Sequence, residues 1–407
     1  MRASARGLHL LQFFLAGVTL VILTLGSLAP FSYNRDLSQD YLSARALRDG
    51  RDVFTRTTDL SVDYFPDRAT HMTHPNPHPP FLVVLMLPLS FVPYEVVYPL
   101  GLAVNVLLLI LVGRWLGFSW TGRLALAAWP PIWWVLFQDQ FEIALLVLAM
   151  LGWRAASSGH PSRAGFLLGL AATLKFYPLL LLVPFLARRQ VRVLVAAALV
   201  LMDAQIVSTL TFGPAAMARY YTEVLPEVAS RYSTLAINMS PYGALLRLFG
   251  GSTDVSPAID APGLARPLAT LFSVFGLVAL FRLHPQGAPL AMLITLPAAW
   301  GYQVVLALPE IVRLLRQSRW RAGTLAAAAA ASFVQPPLLY YVNEVVSRLS
   351  GWTGDRAPPI LGFFGAIQTI GFLALLVLSL RVNGAREPSA SAKPSDVGPD
   401  AYNSQTP

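Results

Sequence analysis

The 407-residue chain contains no cysteine, which excludes disulfides, a thiolate nucleophile and any Cys-based metal site. Charge is scarce. Only 13% of residues are charged, against roughly 25% in average soluble chains. Lysine is nearly absent: Lys175 is the one lysine before the C-terminal tail. There is no Gly-rich phosphate loop and no repeat at solenoid or propeller spacing. The net charge of +9 comes from arginines scattered through short loops, not from a basic domain. That distribution argues against a nucleic-acid partner and fits positive-inside membrane topology.

What fills the chain instead is apolar sequence. Hydrophobic residues make up 55% of it, in runs that recur almost end to end. The start, "MRASARGLHLLQFFLAGVTLVILTLGSLAPF", has a basic flank and an apolar run that suits a retained spanning helix better than a cleaved signal. The hydropathy pattern predicts an all-α polytopic membrane protein of about twelve transmembrane helices: 9–30, 97–117, 122–137, 139–154, 163–175, 176–188, 190–212, 263–283, 287–302, 303–316, 321–345 and 358–381. With both termini cytoplasmic, the inner loops collect Arg114 and Arg123, Arg154 and Arg163, Arg188, Arg189 and Arg192, Arg282, and Arg313 to Arg321, with no acid among them. The apolar stretch 79–93 is read as a re-entrant or interfacial segment, since counting it as a span would invert everything downstream. The organisation expected is a membrane domain over 1–381, with outer loops at 31–79 and 213–262, and a disordered cytoplasmic tail over 382–407.

This topology sorts polar residues by side. The outer side gathers Asp36, Asp40 and Tyr41 on a short helix ending at Gly50, then His71, His74 and His78. "QDQFE" follows from Gln138 through Gln140 to Glu142, then Lys175 and Tyr177 in "LKFYP". "NMSPYGALLRLFG" holds Asn238, Ser240, Tyr242 and Arg247, and Trp300, Tyr302 and Gln303 sit at a later tip. Acids, cations and amides on one face are the pattern of a site at the external membrane surface. Each also has a plainer explanation. Asp36 and Asp40 are placed to favour a helix N-terminus. Lys175 can snorkel to the interface, although intramembrane cations usually mark function. The prolines in "HMTHPNPHP" force extended backbone, and no helical His pair suggests a metal site. A transporter or lipid flippase is the rival class, with Asp203 and Glu310 as intramembrane acids. It lacks the internal repeat of halves that such folds show.

Four stretches carry a family resemblance: "RDLSQDYLSARALRDGRDVF", "NPHPPFLVVLMLPLSFVPYEVVYPLGLAVNVLLL", "QDQFEIALLVLAMLGWRAASSGHPSRAGFLLGLAATLKFYPLLLL" and "NMSPYGALLRL". In this order the chain resembles the bacterial GT-C-class glycosyltransferases that use polyprenyl-phosphate mannose, the family of the mycobacterial phosphatidylinositol-mannoside α-1,2-mannosyltransferases. The resemblance implies a GT-C-like bundle in the cell membrane with an extracytoplasmic active site. A hexose, mannose by default, would pass from a polyprenyl-phosphate donor to a glycolipid or glycan acceptor with inversion. It places the catalytic Asp at Asp36, with Asp40 the second candidate. Tyr41, His78, Gln138, Gln140, Lys175, Tyr177, Asn238, Arg247 and Tyr302 are the expected substrate contacts, with Lys175, Arg247 and His78 offering charge to the phosphate. No metal or organic cofactor is called for. Two departures stand out: the family's Gln-x-Asn pattern reads Gln138-Asp139-Gln140 here, and Tyr302 stands where a His is common.

Overall fold

The computed structural model describes residues 31–66, 72–253, 255–332 and 358–384, with a few isolated positions besides. The expected first span (9–30), His71, the second half of the 321–345 span and the tail beyond 384 lie outside the described residues. Every regular element among the described residues is helical, as the apolar periodicity required.

Three helices are each long and apolar enough to cross a bilayer: α3, Tyr94–Trp115; α7, Val191–Phe212; and α9, Pro262–Arg282. Their labels follow the chain order used here, in which α1 is Asp36–Arg48 and α2 is Pro80–Met86. Helix α4 is Pro130–Gln138, α5 Glu142–Ser157, α6 Pro161–Leu174 and α8 Pro241–Gly250. Helices α4 and α5 together make a fourth apolar unit, bent by 117° at their junction. Among the described residues, three or four helical units are thus long and apolar enough to cross a bilayer. The expected spans at 176–188, 287–302 and 303–316 are built from short pieces, with 3-10 turns at Tyr177–Leu182 and Gly301–Ala307. Prolines at 178, 184, 289, 297 and 309 explain the fragmentation, because each removes a backbone donor and resists helix continuation. The 79–93 segment is a short helix followed by a 3-10 turn, Leu87–Phe91. Its twelve residues reach about 18 Å at helical rise, well short of the ~30 Å hydrocarbon core.

Glycines set the closest packing. In "AGFLLGLAA", Gly165 and Gly169 lie one turn apart on α6 and face α7. A Cβ on Gly165 would stand 2.1 Å from the Val193 carbonyl oxygen, and one on Gly169 would stand 3.0 Å from Ala197. This is the small-xxx-small contact that lets membrane helices approach without a side chain between them. A large apolar cluster surrounds it, running from Leu145 and Leu168 through Ile294 to Phe372 and Leu376.

The 31–79 segment, with α2, the start of α3 and part of the 213–262 segment, forms a second apolar cluster. Tyr33, Tyr41, Phe65 and Tyr94 pack ring to ring, with Tyr41 and Tyr94 centroids 5.1 Å apart. The Tyr41 hydroxyl donates to the Val92 carbonyl at 2.9 Å, and Arg48 donates to the Ser90 carbonyl. Helix α1 is thereby clamped onto the interfacial segment. The two outer loops are tied to each other by Tyr220, whose hydroxyl is 2.8 Å from the Pro77 carbonyl and 3.1 Å from that of His78.

Candidate active site

A cavity of ≈580 Å³ opens between the two outer loops and the tips of the bundle. Its polar wall includes Asp36, His78, Gln138, Gln140 and Tyr302, and Tyr232, Trp300 and Val228 supply apolar surface. Among the described residues, Asp36 is the one carboxylate on that wall.

The placement of Asp36 begins at a break in the helices. Asp139, the residue after α4, adopts left-handed backbone, φ 51° and ψ 51°, which costs a non-glycine residue roughly 1–2 kcal/mol. Asp139 itself points away from the cavity and is held there. Its carboxylate accepts from Asn105 Nδ2 at 2.7 Å and lies against Gly101, where a Cβ would come within 2.1 Å of it. The chain reversal turns the glutamines on either side of Asp139 toward α1. The Gln138 side-chain oxygen accepts the Asp36 backbone N–H at 3.3 Å. Gln140 Nε2 donates to Asp36 Oδ2 at 2.5 Å. The Arg35 guanidinium lies 3.5 Å from the centre of the Phe137 ring, which fixes the start of α1 over the end of α4.

Behind Gln140 stands Lys175, in extended backbone at the end of α6. Its ammonium donates to Gln140 Oε1 at 2.5 Å and lies 3.3 Å from Glu142 Oε1. Since an ammonium only donates, Gln140 must present its oxygen to Lys175 and its NH₂ to Asp36. Glu142 also accepts the Tyr177 hydroxyl at 3.0 Å. The Lys175 ammonium sits 5.7 Å from the centre of the Tyr302 ring. Lys175 is therefore a buried member of a relay from Glu142 through Gln140 to Asp36, not an interfacial anchor and not a residue on the cavity wall.

Asp40, a turn along α1, faces a different partner. Its Oδ1 accepts from Asn76 Nδ2 at 2.9 Å and from His78 Nδ1 at 2.7 Å. This bond fixes the proton on Nδ1 and leaves Nε2 of His78, a cavity-lining residue, for a ligand. Asn76 also accepts the His78 backbone N–H at 3.0 Å, so "NPH" is stapled to α1. Nearby, His74 donates from Nδ1 to the Pro75 carbonyl at 2.8 Å and meets Tyr232 edge-on at 5.1 Å.

Two carboxylates of one helix thus have different surroundings. Burial raises the Asp36 carboxyl above its ordinary 3.8, opposed by the Gln140 hydrogen bond and the charges of Lys175 and His78. Burial also lowers the His74 imidazole below its ordinary 6.5. The charges of Arg35 and Arg45 are otherwise engaged: Arg45 lies over the Tyr64 ring at 4.6 Å.

Of the residues singled out from sequence, Asp36, His78, Gln138, Gln140 and Tyr302 meet at the cavity. Asp40, Lys175 and Tyr177 form the layer behind them, and Tyr41 belongs to the aromatic wall under α1. Asn238 and Arg247 are elsewhere. The Asn238 amide donates to the Ser233 and Pro297 carbonyls at 2.8 and 2.9 Å and accepts the Ser240 and Ala299 N–H groups at 2.9 and 3.0 Å. Those four bonds exhaust its valences. It clips the 297–300 turn to the second outer loop, which is what seats Trp300. Arg247 is buried and donates to the Leu235 and Asn238 carbonyls at 2.5 and 2.7 Å. Both side chains are engaged in backbone clasps and lie off the wall of this cavity. Asn76 and Tyr232 were not predicted. Asn76 had one signal, a lone amide between two prolines; Tyr232 had none. Among the described residues, no three His, Asp or Glu side chains come together as a metal-binding group.

No curated protein and no solved structure matches the chain. The description "Glycosyltransferase family 87" matches residues 76–309. That stretch is more than half of the chain and includes His78, Gln140, Lys175 and Tyr302, though not Asp36. The match is to the family as a whole, without the narrower mycobacterial group. An all-helical bundle with apolar spanning helices and a one-carboxylate cavity is the setting in which that match falls, and the chain belongs to glycosyltransferase family 87.

Proposed function

We propose that the protein moves a hexose, mannose by resemblance, from a polyprenyl-phosphate donor to a hydroxyl of a glycolipid or glycan at the extracytoplasmic face of the cell membrane. The observation that carries this reading is the single carboxylate on the cavity wall. Asp36 Oδ2 is held by Gln140, and Oδ1 has no hydrogen-bond partner among the described residues. That oxygen takes the acceptor's proton as the acceptor oxygen attacks C1 of the sugar. The C1–O bond to phosphate breaks on the opposite face, and its electron pair leaves with the polyprenyl phosphate. Attack opposite the leaving group inverts the anomeric centre, so a β-linked donor yields an α product.

The oxocarbenium-like transition state needs a fixed negative group near the acceptor and donors near the phosphate. Gln140, backed by Lys175, keeps Asp36 in place without an acid–base partner that would compete for its proton. His78, held through Nδ1 by Asp40, donates to the leaving phosphate from Nε2 in its doubly protonated, imidazolium form. Preorganised groups of this kind usually make the largest catalytic contribution. The roles of the two aspartates are thereby divided: Asp36 is the base, and Asp40 positions His78. A phosphate leaving group is already ionised, so the reaction asks for no second carboxylic acid.

The test is sugar transfer by purified protein from polyprenyl-phosphate mannose, with other hexose donors in parallel. Asp36→Asn keeps the Gln140 contact but cannot accept the proton. Loss of general-base assistance predicts a fall of ~10²–10⁴-fold, with donor binding retained. Asp40→Asn should be milder. A purified Asp36→Asn protein that works at the wild-type rate would refute the assignment.

A further inference from the structure

A second cavity, of ≈500 Å³, lies at the far end of α5 from the first. Helix α5 begins at Glu142, in the relay behind Asp36, and ends with Arg154 and Ser157 on the second cavity's wall. Its sixteen residues put roughly 20 Å between the two. The polar groups of this wall include Trp153, Arg154, Gln286, Arg313, Arg316 and Gln317, and no Asp or Glu lines it.

The charges on this wall are not equally committed. Arg313 is neutralised by Glu310, with two contacts of 2.6 Å. Arg316 spends one N–H on the Leu116 carbonyl at 2.6 Å and keeps its charge. The exposed Arg154 side chain makes no hydrogen bond or ion pair among the described residues. Beside it, the Trp153 indole is 5% exposed, and its N–H has no acceptor. Positive-inside topology accounts for arginine in a loop. It does not account for a concave wall with two guanidinium groups that no carboxylate neutralises and a buried indole N–H without an acceptor among the described residues, since buried donors are nearly always satisfied.

The missing partner must be rich in acceptors and negatively charged. We propose that this cavity binds a phosphate group, as the phosphodiester of an anionic phospholipid headgroup or as a soluble phosphate compound. Arg154 and Arg316 would supply charge-assisted bonds to its oxygens, and the Trp153 N–H a neutral one. Basic pockets between membrane helices are suited to such headgroups. The site is remote from sugar transfer and independent of it.

The experiment uses the full chain purified in a neutral detergent. Retention of phosphatidylglycerol by native mass spectrometry and the unfolding temperature are measured against phosphatidylcholine and inorganic phosphate. Phosphatidylglycerol should be retained and should raise the unfolding temperature, while phosphatidylcholine should do neither. Arg154→Gln has no protein contact to lose, and it should weaken retention about tenfold or more. Trp153→Phe keeps the ring and should weaken retention less, and Arg154→Lys should keep part of it. Protection by millimolar inorganic phosphate that equals the lipid's would identify a soluble phosphate ligand for the same site. Equal retention of phosphatidylglycerol by wild type and Arg154→Gln/Arg316→Gln, or no effect of either phosphate source, would overturn the proposal.

Discussion

Lys175→Met isolates the relay behind the candidate base. Methionine fills the space of the aliphatic stem and removes the ammonium alone. The Lys175 side chain is 7% exposed and that of Glu142 is fully buried, so solvent cannot replace the lost charge. Breaking a buried ion pair by removing one member typically costs about 3–5 kcal/mol, because the remaining charge is left uncompensated. Glu142 keeps only the Tyr177 hydroxyl on Oε1, while its Oε2 already lacks a partner. Gln140 loses the contact that fixes its orientation, and Asp36 loses a hydrogen bond worth about 1.5–3 kcal/mol to a charged group. At 1.36 kcal/mol per tenfold in rate, that predicts a fall in transfer of about tenfold to a hundredfold. The double variant Lys175→Met/Glu142→Gln separates the two effects. Removing both charges should restore most of the stability, whereas transfer should stay low because Gln140 remains unanchored. Chemical unfolding in detergent and single-turnover transfer provide the readouts. If Lys175→Met unfolds and transfers like wild type, the relay does not exist as drawn. Full recovery of transfer in the double variant would show that Lys175 acts only by neutralising Glu142.

Three further outcomes are expected. Because burial raises the Asp36 carboxyl above 3.8, the acid limb of kcat/KM should lie above the ordinary aspartate range. The same shift sets a stability effect: a raised carboxyl pKa means that ionised Asp36 opposes folding, so Asp36→Asn should be at least as stable as wild type at neutral pH. That advantage should shrink as pH falls through the raised value and vanish below 3.8, where both states are protonated. An Asp36→Asn protein less stable than wild type at pH 7 would count against the burial argument. The chain has no cysteine, so single cysteines report topology cleanly. One at Ser230 should react with an impermeant thiol reagent in intact cells and one at Ser158 should not, both positions being exposed; the reverse pattern would place the Asp36 cavity in the cytoplasm. Gly165→Leu should force α6 from α7 and cost about 1–3 kcal/mol by overpacking, measured by unfolding in detergent, and a neutral result would mean that the contact is looser than it is drawn.

The sequence exposed much of the site's membership because its chemistry is conspicuous in an apolar chain. The one lysine before the tail, two aspartates beside a spanning segment and two glutamines at a helix tip are costly there unless they are used. It did not expose how they pair. Asp36 and Asp40 differ by one turn of helix, and nothing local says that Gln140 meets the first while His78 meets the second. The left-handed backbone of Asp139 decides the former, since it turns Gln138 and Gln140 to the same side. Asn238 and Arg247 misled for a related reason. A buried amide or guanidinium is explained equally well by a ligand or by loop carbonyls; Asn238 meets the 297–300 turn some sixty residues away, and Arg247 meets the Leu235 and Asn238 carbonyls of its own loop.

Composition and hydropathy by themselves determined that the protein is helical, apolar and suited to a membrane, because every backbone group in hydrocarbon must be bonded within its own segment. They also located the long spans at 94–115, 191–212 and 262–282 to within three residues. At 176–188, 287–302 and 303–316 hydropathy read single spans where the structure has short pieces, because it sums apolarity and does not register where proline cuts a run into turns. The cavity, the different hydrogen-bond partners of the two aspartates and the burial of Lys175 were decided by tertiary structure alone. They depend on contacts between residues 35 to more than 100 positions apart, such as Gln140 with Lys175 and with Asp36, and no local pattern encodes such distances.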